Sequence, residues 1–256
     1  MSDELALRDG LLPHLDRERI HACYRASPGN EIESGKFANP KSSAALAANM
    51  FGYFLDRPGD FPGIPGLSLS APIQSVCVER SLRFPWSGGL HPWLDAVVET
   101  DSELVAMESK RFEPFRSKQP GSFSEAYLKP VWGAEMDRFQ ALRDALSSGA
   151  AVFERLDAVQ LVKHALGLLT QASKSNKKPV LVYLYAEPRY WPDGTIIPED
   201  WRRTHRSEIE RFADAVSGDV VSFCAVSYFA LLEAAQASRS SDVKRHAKAV
   251  AAAFQP

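Results

Sequence analysis

Two runs of β-forming residues, LDAVVET (94–100) and ELVAMESKRF (103–112), are separated by Asp101-Ser102 alone. Two residues suffice to reverse an antiparallel pair and are too few for a parallel crossover. A hairpin is therefore expected, although the turn lacks the glycine that favours the primed types. Thr100 then faces Glu103, and counting back along both strands puts Asp95 directly across from Glu108. Directly opposed side chains have Cβ atoms roughly 4.5–5.5 Å apart. A turn one residue longer would break that pairing. Successive side chains alternate faces, so Glu108 and Lys110 project from the same one.

Two carboxylates held side by side are unfavourable unless one is protonated or a cation lies between them. A hard divalent ion such as Mg²⁺ suits oxygen ligands of this kind, and the Ser109 carbonyl can add a third. Lys110 can orient or deprotonate a water, or stabilise developing negative charge. A metal, a poised water and a cation are what phosphodiester hydrolysis requires. The alternative is a solvated Glu-x-Lys ion pair on a strand face, which is common and without function.

The surrounding chain supplies a setting for the hairpin. Ser42-Ser43 caps an alanine-rich helix, AALAANMFGYFLD, and the proline- and glycine-rich RPGDFPGIPG ends it. Residues 75–84 alternate as a further strand. RSKQPGSFSEAYLKP reads as loop, and VWGAEMDRFQALRDAL as a helix with Met136, Phe139 and Leu142 at helical spacing. Ser147-Ser148-Gly149 breaks the chain before a helix over 151–172. Residues 180–185, apolar on both faces, predict a central strand. An amphipathic helix (PEDWRRTHRSEIERFADAV), a buried strand over 220–226 and a helical remainder follow. Residues 1–40 read as mixed and polar, with a turn at Pro28-Gly29-Asn30. The expected fold class is α/β, an α+β mixed sheet flanked by helices, in one domain over 1–256. Its core covers about 42–186, with a helical insertion at about 113–148, and 187–256 packs on that core.

LDAVVETDSELVAMESKRFEPF resembles the active-site hairpin of the PD-(D/E)XK nuclease superfamily, the restriction-endonuclease-like fold. The family pattern is an acidic residue on the second core strand and (Asp or Glu)-x-Lys on the third, here Asp95 and Glu108-Ser109-Lys110. The order helix, three strands, helix, strand also matches that core. HPWLD…ESKRFEP is similar to predicted bacterial restriction endonucleases. The resemblance implies Mg²⁺-dependent cleavage of nucleic-acid phosphodiesters, with Mn²⁺ as a substitute ion and DNA as the partner. Asp95, Glu108 and the Ser109 carbonyl would be metal ligands, with Lys110 next to the water. Some members carry a Gln on the helix after the third strand; Gln160 holds that place, with His164 and Gly167 on the same helix face. Lys163 beside them is a phosphate contact on this reading, and the alternative for this group is a polar helix face in water. A homodimer is possible, as for many double-strand cutters.

Two positions depart from the family pattern. Leu94 precedes Asp95 where the superfamily name has Pro. The first core helix, SSAALAANMFGYFL, has no acidic residue, so Asn49, Glu31 or Glu33 is left to complete the metal site.

Composition excludes little. A net charge of −2 gives no global basic field for nucleic acid. Three dispersed cysteines, Cys23, Cys77 and Cys224, argue against a disulfide framework or structural zinc and suit a reducing cytoplasm. MSDELALRDG lacks the apolar core of a signal peptide, and no apolar run is long enough to span a bilayer. A soluble intracellular protein is expected. His91 reads as a turn histidine before it reads as a ligand, the five tryptophans as packing residues, and Asp193-Gly194 as a turn. The basic stretches KSNKK and WRRTHR read as solvated helix ends unless phosphate claims them.

Overall fold

The hairpin forms as two strands, β2 (Trp93–Glu99) and β3 (Glu103–Lys110), in a computed structural model that describes residues 10–27, 31–70, 72–84, 91–117 and 121–256. The Pro28-Gly29-Asn30 turn, Trp86 and the first nine residues lie outside the described residues. No glycine is needed at the turn because neither Asp101 nor Ser102 takes a positive φ, and the turn is closed by Thr100. Its backbone N–H donates to the Glu103 carbonyl at 3.1 Å, and its hydroxyl oxygen accepts the Glu103 and Ser102 N–H groups at 2.9 and 3.2 Å. Ala96 pairs with Met107 and Glu99 with Leu104, the register counted from the sequence.

β1 (Ser75–Ser81) lies antiparallel to β2 on the other side. β4 (Lys178–Tyr185) lies parallel to β3, and β5 (Ser222–Ser227) parallel to β4, giving a five-stranded mixed sheet in sequential order. β3 and β4 are buried along almost their whole length, as central strands must be. β5 corrects an expectation: it is only half-buried, because it is the sheet edge.

Among the described residues, seven α-helices with given bounds cover the two faces. α1 (Arg17–Ala26), α2 (Ser43–Gly52), α6 (Tyr228–Ala237) and α7 (Ser241–Phe254) pack on the face carrying Ala96, Val98, Val105, Met107 and Val182. α3 (Asp137–Ser148), α4 (Ala158–Ser175) and α5 (Glu199–Val216) pack on the face carrying Val97, Leu104, Ala106, Leu181 and Tyr183. Alternation along each strand thus feeds two cores. The Ser42 cap is as expected, its oxygen accepting the Ala45 N–H at 3.0 Å. The insertion at 113–148 delivers Trp132, Met136, Phe139 and Leu142 into the second core.

Two further elements differ from expectation. α1 was not anticipated: it buries only Ile20 and Tyr24, too few apolar positions to show a period. α4 begins seven residues later than the expected helix at 151–172. The Glu208 carboxylate accepts the N–H groups of Glu154, Arg155 and Leu156 at 2.6–2.8 Å, which holds that segment out of the helix. Asp157 then caps α4, accepting the Gln160 N–H at 3.1 Å.

Among the described residues no helix is long and apolar enough to cross a membrane. Cys23, Cys77 and Cys224 are free thiols.

Candidate active site

Continuing the β2–β3 register by one step beyond Ala96–Met107 puts Asp95 across from Glu108. On the other side of β2, Val78 pairs with Ala96 and Arg80 with Leu94, which puts Glu79 across from Asp95. Three carboxylates therefore share one transverse row of the sheet on three adjacent strands. The β1–β2 ladder opens at this row, and Glu79 takes a left-handed backbone with φ +53°. The Asp95 carboxylate is fixed from the next strand: its Oδ2 accepts the Ser109 N–H at 2.7 Å.

Glu108 is 3% exposed. Its Oε1 accepts a charged hydrogen bond from Lys110 Nζ, and its Oε2 lies 3.1 Å from His164 Nδ1. His164 reaches it because α4 comes close to the sheet at Gly167. A Cβ there would lie 2.5 Å from Pro92 Cγ, so only glycine permits the approach. Ser109, alternating with its neighbours, points to the other face, where its hydroxyl meets that of Tyr228 at 2.6 Å.

The charges in this row are strongly coupled. Burial, then Glu108 and Glu79, push the Asp95 carboxyl well above its usual range against the opposing pull of Lys110. Burial followed by Glu31 and Glu108 raises Glu79 to about 7. Burial also works against a charged Glu108, but the Lys110 ammonium and His164 overcome it and hold it at about 2. Lys110 pays the same burial penalty, and Glu108, Asp95 and Glu113 outweigh it, so its pKa lies above the ordinary lysine value. At neutral pH, Lys110 is a fixed cation, and Glu108 is the carboxylate of the row that it holds ionised.

The row opens into a cleft of about 680 Å³. Glu31, Glu79, Asp95, Glu108 and Glu113 line its acidic part, and Lys36, Lys41 and Arg116 its rim. Gln160, one turn before His164 on α4, also reaches this cleft. Lys163 does not: it lines a neighbouring cleft with His91, Gln160 and His164, its ammonium 5.4 Å from the Tyr127 ring, and burial lowers its pKa. His91 accepts the Phe84 N–H at 3.2 Å, the structural role read from sequence.

Of the three residues proposed to complete a metal site, Glu31 lines the cleft. Glu33 is exposed and lines a small cavity behind it. Asn49 is excluded by its bonds: its oxygen accepts the Leu12 N–H at 2.8 Å, and its amide donates to Gly10 and Ala45 carbonyls at 2.7 Å. Sequence reasoning missed Glu79. Its signal was a lone carboxylate in the alternating run SVCVERS, but no short turn joins β1 to β2, so no register could be counted.

The KSNKK stretch lies at the opposite end of β4, where Lys177 pairs with Glu99 at 2.8 Å. Among the described residues, no three His, Cys, Asp or Glu side chains converge to hold a metal ion. The donor set is instead two facing carboxylates, Asp95 and Glu108, lining one cleft. That set fits Mg²⁺, which commonly keeps several waters and takes one or two carboxylates. Comparison with protein-family models, with curated proteins and with solved structures gives no match for this chain.

Proposed function

We propose that the chain is a Mg²⁺-dependent endonuclease that hydrolyses DNA phosphodiester bonds, with Mn²⁺ able to substitute. The observation that carries this reading is Asp95 across from Glu108, with Lys110 bonded to Glu108 on the same strand face, in an open cleft. Asp95, Glu108 and the Ser109 carbonyl would hold the ion, which when bound polarises the phosphate and acidifies a water. Asp95 is oriented for this by the Ser109 N–H, and Glu108 by His164. Lys110, held protonated by its carboxylate neighbours, serves by stabilising negative charge and orienting water rather than by removing a proton. Lys36, Lys41 and Arg116 on the rim supply phosphate contacts. Three free thiols suit the cytoplasm, and pairing with a second copy of the chain would let two such sites cut both strands together.

A second reading has its own support. Both Glu108 oxygens already have partners in Lys110 and His164, which favours a protein of this fold that binds nucleic acid without cleaving it. The test is cleavage of supercoiled plasmid and of single-stranded DNA in Mg²⁺, Mn²⁺ or EDTA. Asp95→Ala, Glu108→Ala and Lys110→Ala are expected each to lower the rate by about a hundredfold or more. Wild-type binding without cleavage on any substrate would select the second reading. Equal cleavage by wild type and all three variants would remove the site assignment.

A further inference from the structure

A second groove, of about 820 Å³, opens at the ends of β3, β4 and β5, just beyond Lys110. One wall is a small hairpin after β4. Ile197 N–H donates to the Arg189 carbonyl at 2.9 Å, Trp191 N–H to that of Thr195 at 2.7 Å, and Asp193-Gly194 makes the turn. This hairpin holds Tyr190 58% exposed, and Phe229 at the start of α6 is 65% exposed. Large aromatic faces in water need a reason, and these two line the same groove.

The groove is also cationic. Arg111, Arg189, Arg202 and Arg206 line it against Glu187 and Glu199. Glu187 takes Arg206 at 2.6 and 3.1 Å, and Glu199 takes Arg202. That leaves the exposed Arg189 and the buried Arg111 as the excess charge. Arg111 donates to the carbonyls of Pro40, at 2.6 Å, and Phe254, while its buried Nε has no hydrogen-bond partner among the described residues. The two clefts abut. Trp191 of the groove stacks on Phe112 (5.4 Å, 18°) and carries the Lys41 ammonium 4.7 Å from its ring, and Lys41 stands on the rim of the carboxylate cleft.

We propose that this groove binds a single-stranded segment of nucleic acid continuous with the strand whose phosphate enters the carboxylate cleft. Unpaired bases stack on Tyr190 and Phe229, and the exposed Arg189 meets the phosphates. Aromatic faces interleaved with guanidinium groups fit exposed bases and their backbone. A duplex keeps its base faces inside and cannot use them. The proposal rests on the nuclease reading and narrows its substrate to nucleic acid with a single-stranded extension.

The test measures fluorescence anisotropy of a labelled single strand of roughly a dozen nucleotides and of the matching blunt duplex. It uses the full chain in EDTA, so that binding is read without cleavage. The expected result is single-strand binding at least about tenfold tighter than duplex binding. The double variant Tyr190→Ala/Phe229→Ala should weaken single-strand binding by about tenfold or more and leave duplex binding unchanged. Arg189→Ala should weaken it less and flatten its salt dependence. Both aromatic side chains are exposed, so the variants fold. Unchanged binding by the double variant, equal affinity for both probes, or displacement of neither probe by unlabelled single strand but of both by an acidic peptide would each overturn the proposal. Groove-dependent binding by a wild type that cuts nothing in Mg²⁺ would remove the nuclease reading and keep the groove. Lys110-dependent cleavage with no groove dependence would do the reverse.

Discussion

At the scale of the residue, an amide or carboxylate is defined by what it already holds. Asn49 has three short bonds to the segment before α1 and to its own helix, and is fully buried. Asn49→Ala would leave the Leu12 N–H and the Gly10 carbonyl without partners. The expected cost is about 2–4 kcal/mol, because each buried unsatisfied group costs roughly 1–3 kcal/mol. Urea unfolding measures it. The cleavage rate per folded molecule should stay at the wild-type value, and a rate that falls with Asn49 would return that residue to the site. Glu79 shows the opposite case. Its residue type was visible in the sequence, but its role depends on lying beside Asp95, which the sequence could not count.

At the scale of the element, the hairpin and α4 differ in what fixes them. A two-residue turn leaves one register for β2 and β3, so the Asp95–Glu108 pairing could be read in advance. The start of α4 is set by Glu208, more than fifty residues later in the chain, so a local pattern placed it too early. The depth of α4 is set by Gly167. Gly167→Ala places a methyl 2.5 Å from Pro92 Cγ and forces helix and strand apart. Overpacking of this kind costs about 1–3 kcal/mol. His164 lies one turn before it, so the same shift should carry His164 off Glu108. The expected outcome is a lower thermal midpoint together with a cleavage rate reduced by more than the unfolded fraction explains. Activity unchanged beside a lowered midpoint would separate His164 from the site.

At the scale of the molecule, α7 closes one layer through a buried imidazole. His246 stacks on Tyr53 at 4.2 Å and 12°, shares a hydrogen bond with His14 at 2.9 Å, and approaches the Met50 carbonyl at 3.4 Å. Burial first, then His14, lower its pKa to about 4 from 6.5. The unfolded chain therefore binds more protons between those values. Stability is fully present above about 6.5 and is lost as the pH falls towards about 4. The loss should reach at most about 3 kcal/mol from this group, at roughly 1.4 kcal/mol per pKa unit. Urea midpoints at pH 7.5 and 5 measure it, and His246→Phe, which keeps the ring stack, should flatten the difference. A slope unchanged in the variant would assign acid lability to other groups.

The mixed sheet, its central strand over 180–185 and the hairpin register that sets Asp95, Glu108 and Lys110 together were legible in the order of the residues alone. Each follows from a local rule: strand period, turn length or hydrophobic run. The rest depended on packing between elements distant in the chain. Glu79 joins the row through a strand pairing that no short turn fixes. Asn49 is turned inward by a segment far from it in the chain, and Glu31 is brought to the cleft. His164 reaches Glu108 across two layers, through a glycine contact. Lys163 is carried into a neighbouring cleft by the rotation of α4. Local chemistry sets which strands form and which way their side chains alternate, whereas packing between elements sets which side chains meet.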